Sequence, residues 1–338
     1  MTFAAAERKT QRKTTKKEIF LQEMERILPW AEIIDVVKPY YYANTTGRPA
    51  TPLEIMLRMY LVQVWFNLSD EKTEDELYDS YCVGKFCGIN NVDNSPPDAT
   101  TLLHFRRITE KNNLGKKIFE KVNSILERKG YMMRGGTIID ATIIQAPSST
   151  KNESGKRDEE MASVKKGSNY YFGMRVHTGC DAQSGCVHTV VAAPANVSEI
   201  SHAHKLIRED DEVVWSDAGN IGLENREEIK NDEVLSKKEY RISMRPGKRR
   251  KMKKEGMAYE INEAEEKRKT FVRNRVEFPF GLMKCKFGFR KTIYKGIEKN
   301  LNRIYMIFMN ANLWLVRNMG KVYARAEIVR KIRPQVAW

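Results

Sequence analysis

A β-branched stretch, Thr137-Ile-Ile-Asp-Ala-Thr-Ile-Ile144, divides the sequence into two regions of different character. Its composition predicts a buried strand, and Gly135-Gly136 marks where that strand begins. Asp140 lies inside this apolar run, where a carboxylate is unfavourable unless it is paired, hydrogen-bonded or bound to a metal ion. The stretch therefore predicts both a sheet and a functional position within it.

The residues after this stretch indicate a mixed sheet with helices packed on it. Residues 147–169 are polar and predict an exposed loop. Asp181-Ala-Gln-Ser-Gly185 predicts a hairpin between two strands, and later strands alternate with helices, as in α/β and α+β domains. The expected strands are 170–178, 187–192, 213–217 and 240–244, and the expected helices are 198–208, 223–231, 258–287 and 299–318.

The residues before the stretch have helical spacing and predict a helical module. Thr15 with Glu18 resembles a capping box, and Asp98 is placed to cap a helix that starts at Ala99. Thr51-Pro52 predicts another helix start, with Thr51 as the cap. Gly130 is expected to end the last of these helices.

Composition favours a polyanionic partner. The chain has 338 residues, with 59 Lys and Arg against 44 Asp and Glu, so the formal net charge is +15. A surplus of this size favours nucleic acid first and an acidic membrane surface second. The 5 cysteines form no CxxC pair and predict reduced thiols in a cytoplasmic protein. No signal peptide or uncharged apolar run of membrane-spanning length is expected.

Two further acids stand in notable positions. Asp217 ends the predicted strand Val213-Val-Trp-Ser-Asp217, and Glu277 lies on a predicted helix with Arg273 and Lys284 within about 40° of it. Either aspartate could be satisfied by a lysine or by backbone amides, and Glu277 could form an ordinary ion pair with Arg273. Together, three carboxylates from two strands and a helix could hold two Mg²⁺ or Mn²⁺ ions, which suit phosphodiester chemistry. Pro279 predicts a kink or break in this helix.

Basic residues are concentrated in two segments. Residues 1–18 form a basic arm, which is either a solvated tail or a contact for phosphates. Residues 237–254 hold 10 basic residues against one acid, and this run is either a solvated loop or a DNA contact. Its candidate DNA-binding residues are Lys248, Arg249, Arg250, Lys251, Lys253 and Lys254.

Several longer motifs can be recognised along the chain. The second region contains Ile139-Asp-Ala-Thr-Ile-Ile-Gln-Ala-Pro-Ser-Ser-Thr-Lys151, Tyr171-Phe-Gly-Met-Arg-Val-His177, Asp217-Ala-Gly-Asn-Ile-Gly222 and Arg275-Val-Glu-Phe-Pro-Phe280. The helical region contains Gly47-Arg-Pro49, Trp65-Phe-Asn-Leu-Ser-Asp70 and Asp98-Ala-Thr-Thr-Leu-Leu-His-Phe-Arg106. Together these motifs resemble a DDE transposase of a bacterial insertion sequence, of the insertion-sequence-five family, and the resemblance runs from about Ile19 to Asn318.

The resemblance implies an RNase H-like catalytic domain in which Asp140, Asp217 and Glu277 are the three acids. Arg273, Glu277 and Lys284 match the spacing of a Tyr-Arg-Glu-Lys signature, whereas Thr270 stands at its tyrosine position. Phe278 stands where family members often carry histidine. The implied layout is a basic arm (residues 1–18), a helical domain (19–130), the catalytic domain (131–320) and a basic tail (321–338).

The resemblance also implies the activity. Such an enzyme binds the terminal inverted repeats of its own element as double-stranded DNA, hydrolyses phosphodiesters and joins the freed 3′-hydroxyls to target DNA. Because two ends must be joined, a homodimer in the DNA complex is expected, with no membrane or small-molecule partner. Two alternatives remain: a nuclease on the same scaffold without strand transfer, and a domesticated DNA-binding protein with a silent core.

Overall fold

The computed structural model describes residues 13–41, 50–89, 95–151, 155–251 and 256–332, with side chains of the last helix described as far as residue 317. The chain divides into two compact units, residues 1–112 and 113–338. Within the described ranges, no helix is both long enough and apolar enough to cross a membrane.

The first unit is built of helices, as predicted. They are α1 (Lys16–Ile27), α2 (Trp30–Val37), α3 (Leu53–Phe66), α4 (Asp70–Asp79), α5 (Tyr81–Cys87) and α6 (Ala99–Lys111). The predicted caps are present at two of them: Thr15 accepts a hydrogen bond from the Glu18 amide, and Asp98 accepts one from the Thr101 amide. The predicted Thr51 cap is wrong, because α3 begins one residue later than expected and Pro52 occupies the cap position without a side-chain hydrogen bond.

Aromatic side chains around α3 form the core of this unit. Trp65 is buried, and its ring lies 5.4 Å from Phe20 and 5.4 Å from Phe86, measured between centroids. A buried ion pair adds to this packing, since the Arg106 guanidinium lies 2.8 Å from the carboxylate of Asp70. The hydrophobic effect and the ion pair of the buried Arg106 with the half-buried Asp70 thus hold the helices together.

The second unit contains a six-stranded mixed sheet, and the predicted fold class is confirmed. Its strands are β1 (Gly136–Gln145), β2 (Ala162–Lys166), β3 (Asn169–Asp181), β4 (Val187–Pro194), β5 (Val213–Ser216) and β6 (Glu239–Ile242). They follow the order β2-β3-β1-β5-β6, with β4 also paired to β3. Strand β1 is antiparallel to β3 and parallel to β5, and β5 is parallel to β6.

Helices cover the sheet. They are α7 (Leu114–Arg128), α8 (Glu227–Lys230), α9 (Pro246–Lys251), α10 (Met257–Arg273), α11 (Glu277–Gly281) and α12 (Ile297–Ile332). On one face, Ile139 and Val214 pack against Ala203 and Leu206 of a 3₁₀-helix, Glu199–Leu206. Thr142 lies on the opposite face, where it contacts Lys284, which follows α11.

Helix α7 packs within the second unit, although its sequence spacing continues that of the N-terminal helices. The Asn312 side chain on α12 donates a hydrogen bond to Asn123 Oδ1 at 2.8 Å, and it accepts one from the Val187 amide at 2.8 Å. All three residues are buried. This network joins α7, α12 and β4 through groups that hydrophobic periodicity does not reveal.

Several elements differ from expectation. The predicted helix 198–208 is a 3₁₀-helix, Glu199–Leu206, and the predicted helix 223–231 contains only a 3₁₀ turn, Leu223–Asn225, and the short α8. Part of the predicted loop 147–169 is strand β2, a short edge strand that pairs with β3 and has too little apolar alternation to be recognised. The predicted helix 258–287 is interrupted: a 3₁₀ turn, Asn274–Val276, separates α10 from α11, and a π-helical segment, Leu282–Lys286, follows. Both irregular segments lie close to Pro279, consistent with the predicted break.

Candidate active site

Asp140 and Asp217 lie side by side on the sheet. The parallel pairing of β1 with β5 ends at Ile139 and Ser216, and each aspartate is the next residue along its strand direction. Their side chains therefore point to the same face. Asp140 Oδ1 accepts a hydrogen bond from the Ala141 amide at 2.7 Å, and Asp217 Oδ1 accepts one from the Gly219 amide at 2.8 Å.

The pKa of the Asp140 carboxyl lies far above its ordinary value. Burial, and to a smaller extent the neighbouring Asp217 and Glu199 carboxylates, raise the pKa of its carboxyl to about 7. The Ala141 amide and Arg273 act in the opposite direction but do not cancel these effects. An acid held this far from its ordinary pKa, next to other acids, is typical of functional sites.

The irregular helix from α10 to the π-helical segment faces this part of β1. Lys284 Nζ donates a hydrogen bond to Thr142 Oγ1 at 2.5 Å, and Thr142 lies on the same face of β1 as Asp140. Arg273 is close enough to lower the pKa of Asp140, and Glu277 is close enough to raise that of Lys284. The Glu277 side chain is exposed to solvent.

A fourth acid, Glu199, lies beside Asp217 and was not anticipated. Arg175 Nη1 on β3 donates a hydrogen bond to its carboxylate at 3.2 Å. A Cβ atom added to Gly219 would lie 3.0 Å from Asp217 Oδ1 and 3.2 Å from Glu199 Oε2, so both carboxylates crowd the same glycine. Burial, and then Asp217, raise the pKa of Glu199. In the sequence Glu199 resembles any acid in a first helical turn, so no signal singled it out.

The donor set suits a hard divalent cation, because it consists of carboxylate oxygens. Among the described residues, however, no three side chains of the metal-binding types are grouped closely enough to hold an ion as they stand. The structure thus brings Asp140 and Asp217 together and leaves Glu277 on the facing helix. The adjacency of the two aspartates is the observation that favours cation binding there, because a cation would neutralise their mutual repulsion.

The candidate DNA-binding residues of the basic run differ in their surroundings. Lys248, Arg250 and Lys251 are exposed on α9. Arg249 is instead paired, with its guanidinium 2.7 Å from the Glu263 carboxylate. Lys253 and Lys254, like most of the N-terminal arm, lie outside the described residues.

The histidine and cysteine side chains near the site are buried. Burial, His202 and Arg175 lower the pKa of His177 to about 3, so its imidazole is neutral at physiological pH. Cys180 is completely buried, and burial raises the pKa of its thiol. Neither side chain offers a charged nucleophile.

Two protein-family models together match most of the residues of both units. A family model described as a transposase DDE domain matches residues 132–313, which is more than half of the chain. A second model, described as a transposase domain (DUF772), matches residues 8–107. No solved structure matches the chain significantly. The first match spans Asp140, Asp217 and Glu277.

Proposed function

The chain belongs to the transposase DDE domain family and is a DNA transposase; we propose that it binds the terminal inverted repeats of its own insertion sequence and moves that element by cutting and rejoining DNA. The reaction has two stages, hydrolysis of a phosphodiester at the element's end and transfer of the freed 3′-hydroxyl to target DNA. Both are in-line displacements at phosphorus, so one site can serve for both.

The observation that carries this proposal is the position of Asp140 beside Asp217 on one face of parallel strands. The facing helix adds Arg273 and Lys284 to the same region, which favours binding of a phosphate group there. We assign Asp140, Asp217 and Glu277 as the catalytic acids. For Glu277 to join the other two, its exposed side chain must turn towards β1, and DNA is the partner that would cover it.

We propose that the three carboxylates hold two Mg²⁺ ions, for which Mn²⁺ can substitute. Such a pair would lower the pKa of the attacking water or 3′-hydroxyl and would stabilise the leaving oxygen. The raised pKa of Asp140 fits this role, because the site disfavours two adjacent negative charges until a cation compensates them. Arg273 and Lys284 position the phosphate that is cut.

Contacts with DNA outside the site are assigned to exposed cations. Lys248, Arg250 and Lys251 on α9 are free of the ion pair that holds Arg249, and we propose that they contact phosphates, with Lys253 and Lys254 continuing the run. Joining two ends requires two active sites, so the assembly on DNA is a homodimer. Because its substrate is DNA, we propose that the protein acts in the bacterial cytoplasm.

A cleavage and strand-transfer assay tests the proposal. The substrate is linear DNA carrying the ends of the element that encodes the chain, incubated with and without Mg²⁺. Asp140→Asn, Asp217→Asn and Glu277→Gln should each abolish both products, whereas Glu209→Gln, an exposed acid away from the site, should not. Cleavage without strand transfer would identify a nuclease, and end binding without any cutting would identify a silent DNA-binding protein. Activity that survives one substitution would remove that acid from the site.

A further inference from the structure

A cavity of about 560 Å³ lies at the carboxyl end of β6. Three elements line it: the end of β6 through Ser243, the loop after Asp217 through Gly222, and helix α10 through Lys269. In sheets that carry helices on their faces, ligands commonly bind outside the carboxyl ends of the parallel strands. The cavity is therefore in the right place to hold part of a ligand of this sheet.

The register of the sheet places Ser243 in line with the candidate catalytic acids. Ser216 on β5 is the partner of Ile242 on β6, so Asp217 and Ser243 are the next residues along two parallel strands. The Ser243 amide continues this pairing, since it donates a hydrogen bond to the Ser216 carbonyl at 3.0 Å. Neighbouring strands are about 4.8 Å apart, so the backbone of Ser243 lies one strand beyond Asp217 and two strands beyond Asp140.

Helix α10 connects the cavity with the cations of the candidate site. Lys269 and Arg273 are four residues apart on this helix, so they lie on the same face, about 6 Å from each other along its axis. Arg273 is one of the two cations assigned above to the cleaved phosphate. The cavity thus adjoins the candidate site both through the sheet and through the helix.

The Ser243 hydroxyl is the observation that points to a ligand. Ser243 is only 8% exposed, and its Oγ is buried without a hydrogen-bond partner among the described residues. Buried hydroxyl groups are nearly always hydrogen-bonded, because an unpaired one has lost its water and gained nothing in return. A ligand atom in the cavity that accepts a hydrogen bond would satisfy this hydroxyl.

A lysine next to Ser243 has a hydrogen left for the same ligand. Lys269 Nζ donates to the Ile242 carbonyl at 3.1 Å and to Glu266 Oε1 at 2.9 Å, and an ammonium has three hydrogens to donate. The second oxygen of the buried Glu266 carboxylate accepts a hydrogen bond from the Met244 amide at 2.9 Å. Glu266 therefore holds Lys269 in place while both of its own oxygens are already hydrogen-bonded.

The exposed part of the cavity lining is mostly basic. Arg245 and Lys248 line the cavity and are exposed, and Glu224 is an exposed acid beside them. With the Lys269 ammonium and the Ser243 hydroxyl, these cations match a phosphate group, because arginine, lysine and serine side chains are common donors to phosphate oxygens. A metal cation is poorly matched, since three cationic side chains surround the space.

We propose that this cavity binds the sugar–phosphate backbone of DNA within one or two nucleotides of the cleaved phosphodiester, with Ser243 Oγ and Lys269 Nζ donating hydrogen bonds to one phosphate. This inference rests on the proposed transposase function and adds two positioning residues to it. Each DNA strand carries one phosphate per about 3.4 Å of the duplex axis, so a separation of one strand, about 4.8 Å, fits a phosphate close to the cleaved one. Anchoring that phosphate fixes which phosphodiester lies at Asp140 and Asp217.

The first test is Ser243→Ala in the full chain. The probe is a linear duplex carrying the end of the element that encodes the chain, and the single-turnover rate of Mg²⁺-dependent cleavage is measured. Loss of one hydrogen bond to a charged phosphate should lower this rate roughly 10-fold. The free energy of unfolding should stay the same or rise, because the hydroxyl has no partner to lose among the described residues. Ser236→Ala, at an exposed serine of the same unit, is the matched control and should keep the wild-type rate.

The second test identifies the contacted phosphate. In a series of duplexes, single phosphates near the cleavage site are replaced by neutral methylphosphonates. At one position the replacement should slow wild type and Lys267→Met, a control at an exposed lysine of α10, to the same extent. The same replacement should have a several-fold smaller effect on Ser243→Ala and on Lys269→Met, because these variants have already lost the contact. Removal of single bases, which leaves the backbone intact, should not distinguish the variants from wild type.

Several outcomes would overturn the inference. One is full activity of Ser243→Ala, and another is a methylphosphonate effect that is equal in wild type and both variants at every position. A Ser243→Ala defect that disappears when a base is removed, and not when a phosphate is neutralised, would mean that a base occupies the cavity. Failure of the wild-type chain to cut the ends of its element would instead refute the proposed function, and so the two failures are distinguishable.

Discussion

Asp140 and Asp217 are neighbours because β1 and β5 run parallel and their pairing stops one residue before both acids. Residues that are partners across two parallel strands point to the same face of the sheet. Two carboxylates that are distant in the sequence therefore meet on one face. The arrangement is electrostatically unfavourable for the chain alone, since burial and the second carboxylate both favour the protonated form of Asp140. The first consequence is a dependence of stability on pH.

Without divalent cations, the protein should lose stability as the pH rises. The pKa of Asp140 is about 7 in the folded chain, against an ordinary value of 3.8, so the folded state binds this proton more tightly than the unfolded state. The free energy of unfolding therefore falls between about pH 4 and pH 7. Asp140→Asn removes this effect and should be more stable than wild type above pH 7 by about 1–4 kcal/mol.

Urea unfolding of both proteins in a chelating buffer measures this difference. The two free energies should converge below about pH 3, where the carboxyl is largely protonated in both states. Glu209→Gln is a suitable control, because that exposed acid should leave the profile unchanged. Parallel profiles for Asp140→Asn and wild type would mean that Asp140 is ionised in the folded chain.

Gly219→Ala should impair cleavage with little effect on folding. The new methyl group would lie 3.0 Å from Asp217 Oδ1 and 3.2 Å from Glu199 Oε2, so both carboxylates must move. The required shift is a few tenths of an ångström, smaller than the misplacement of about 1 Å that costs roughly 100-fold, so a loss of about 3-fold to 10-fold in rate is expected. Gly247→Ala, whose methyl group would meet no atom within 4 Å, is the control in rate and unfolding assays. Equal activity of the two variants would show that the Asp217 turn adapts freely.

Sequence patterns anticipated the elements whose periodicity or capping is strong. The apolar run around Asp140, the hairpin at Asp181–Gly185 and the helix caps at Thr15 and Asp98 all depend on local chemistry, and the structure contains them. The assignment of Asp140, Asp217 and Glu277 as catalytic acids came from their positions and from family resemblance, and it stays a prediction.

Features that depend on tertiary contacts could not be anticipated. Glu199 becomes notable only because Arg175 and the Asp217 turn surround it in space. The polar edge strand β2 has no apolar alternation of its own and forms by pairing with β3. The Asn312 network likewise consists of polar residues that appear exposed in a helical pattern and are buried only when three elements meet.

Removal of the Lys284 ammonium should slow cleavage more than removal of its hydrogen-bond partner. Lys284→Met deletes the charge that faces the phosphate in the proposed site, and a loss of roughly 10-fold or more is expected from comparable electrostatic contacts. Thr142→Val deletes only the hydroxyl that accepts the 2.5 Å hydrogen bond and leaves the ammonium in place. Single-turnover cleavage rates of the two variants show whether the charge of Lys284 or its hydrogen bond to Thr142 matters more. A larger defect in Thr142→Val would mean that Lys284 acts mainly by fixing β1.

Asn312→Ala should destabilise the second unit. Its side chain is fully buried and exchanges hydrogen bonds with Asn123 and the backbone of Val187. Truncation leaves those groups unpaired away from water, at a cost of about 2–4 kcal/mol. Asn231→Ala, an exposed position on the same unit, should change the free energy of unfolding by less than about 0.5 kcal/mol. An equally mild effect at Asn312 would indicate that water enters and replaces the lost amide.

The exposed cations of α9 should contribute to DNA binding unequally. Lys248 and Arg250 are exposed, whereas Arg249 is held by the Glu263 carboxylate at 2.7 Å. Each phosphate contact that is lost should reduce the slope of log K against log salt by about 0.9, because one fewer counterion is released. Lys248→Ala and Arg250→Ala should therefore each lower the slope in a titration of end DNA, and Arg249→Ala should change it little. If Arg249→Ala has the largest effect, the Glu263 pair must open when DNA binds, and the ion pair is then a switch between the free and bound forms of α9.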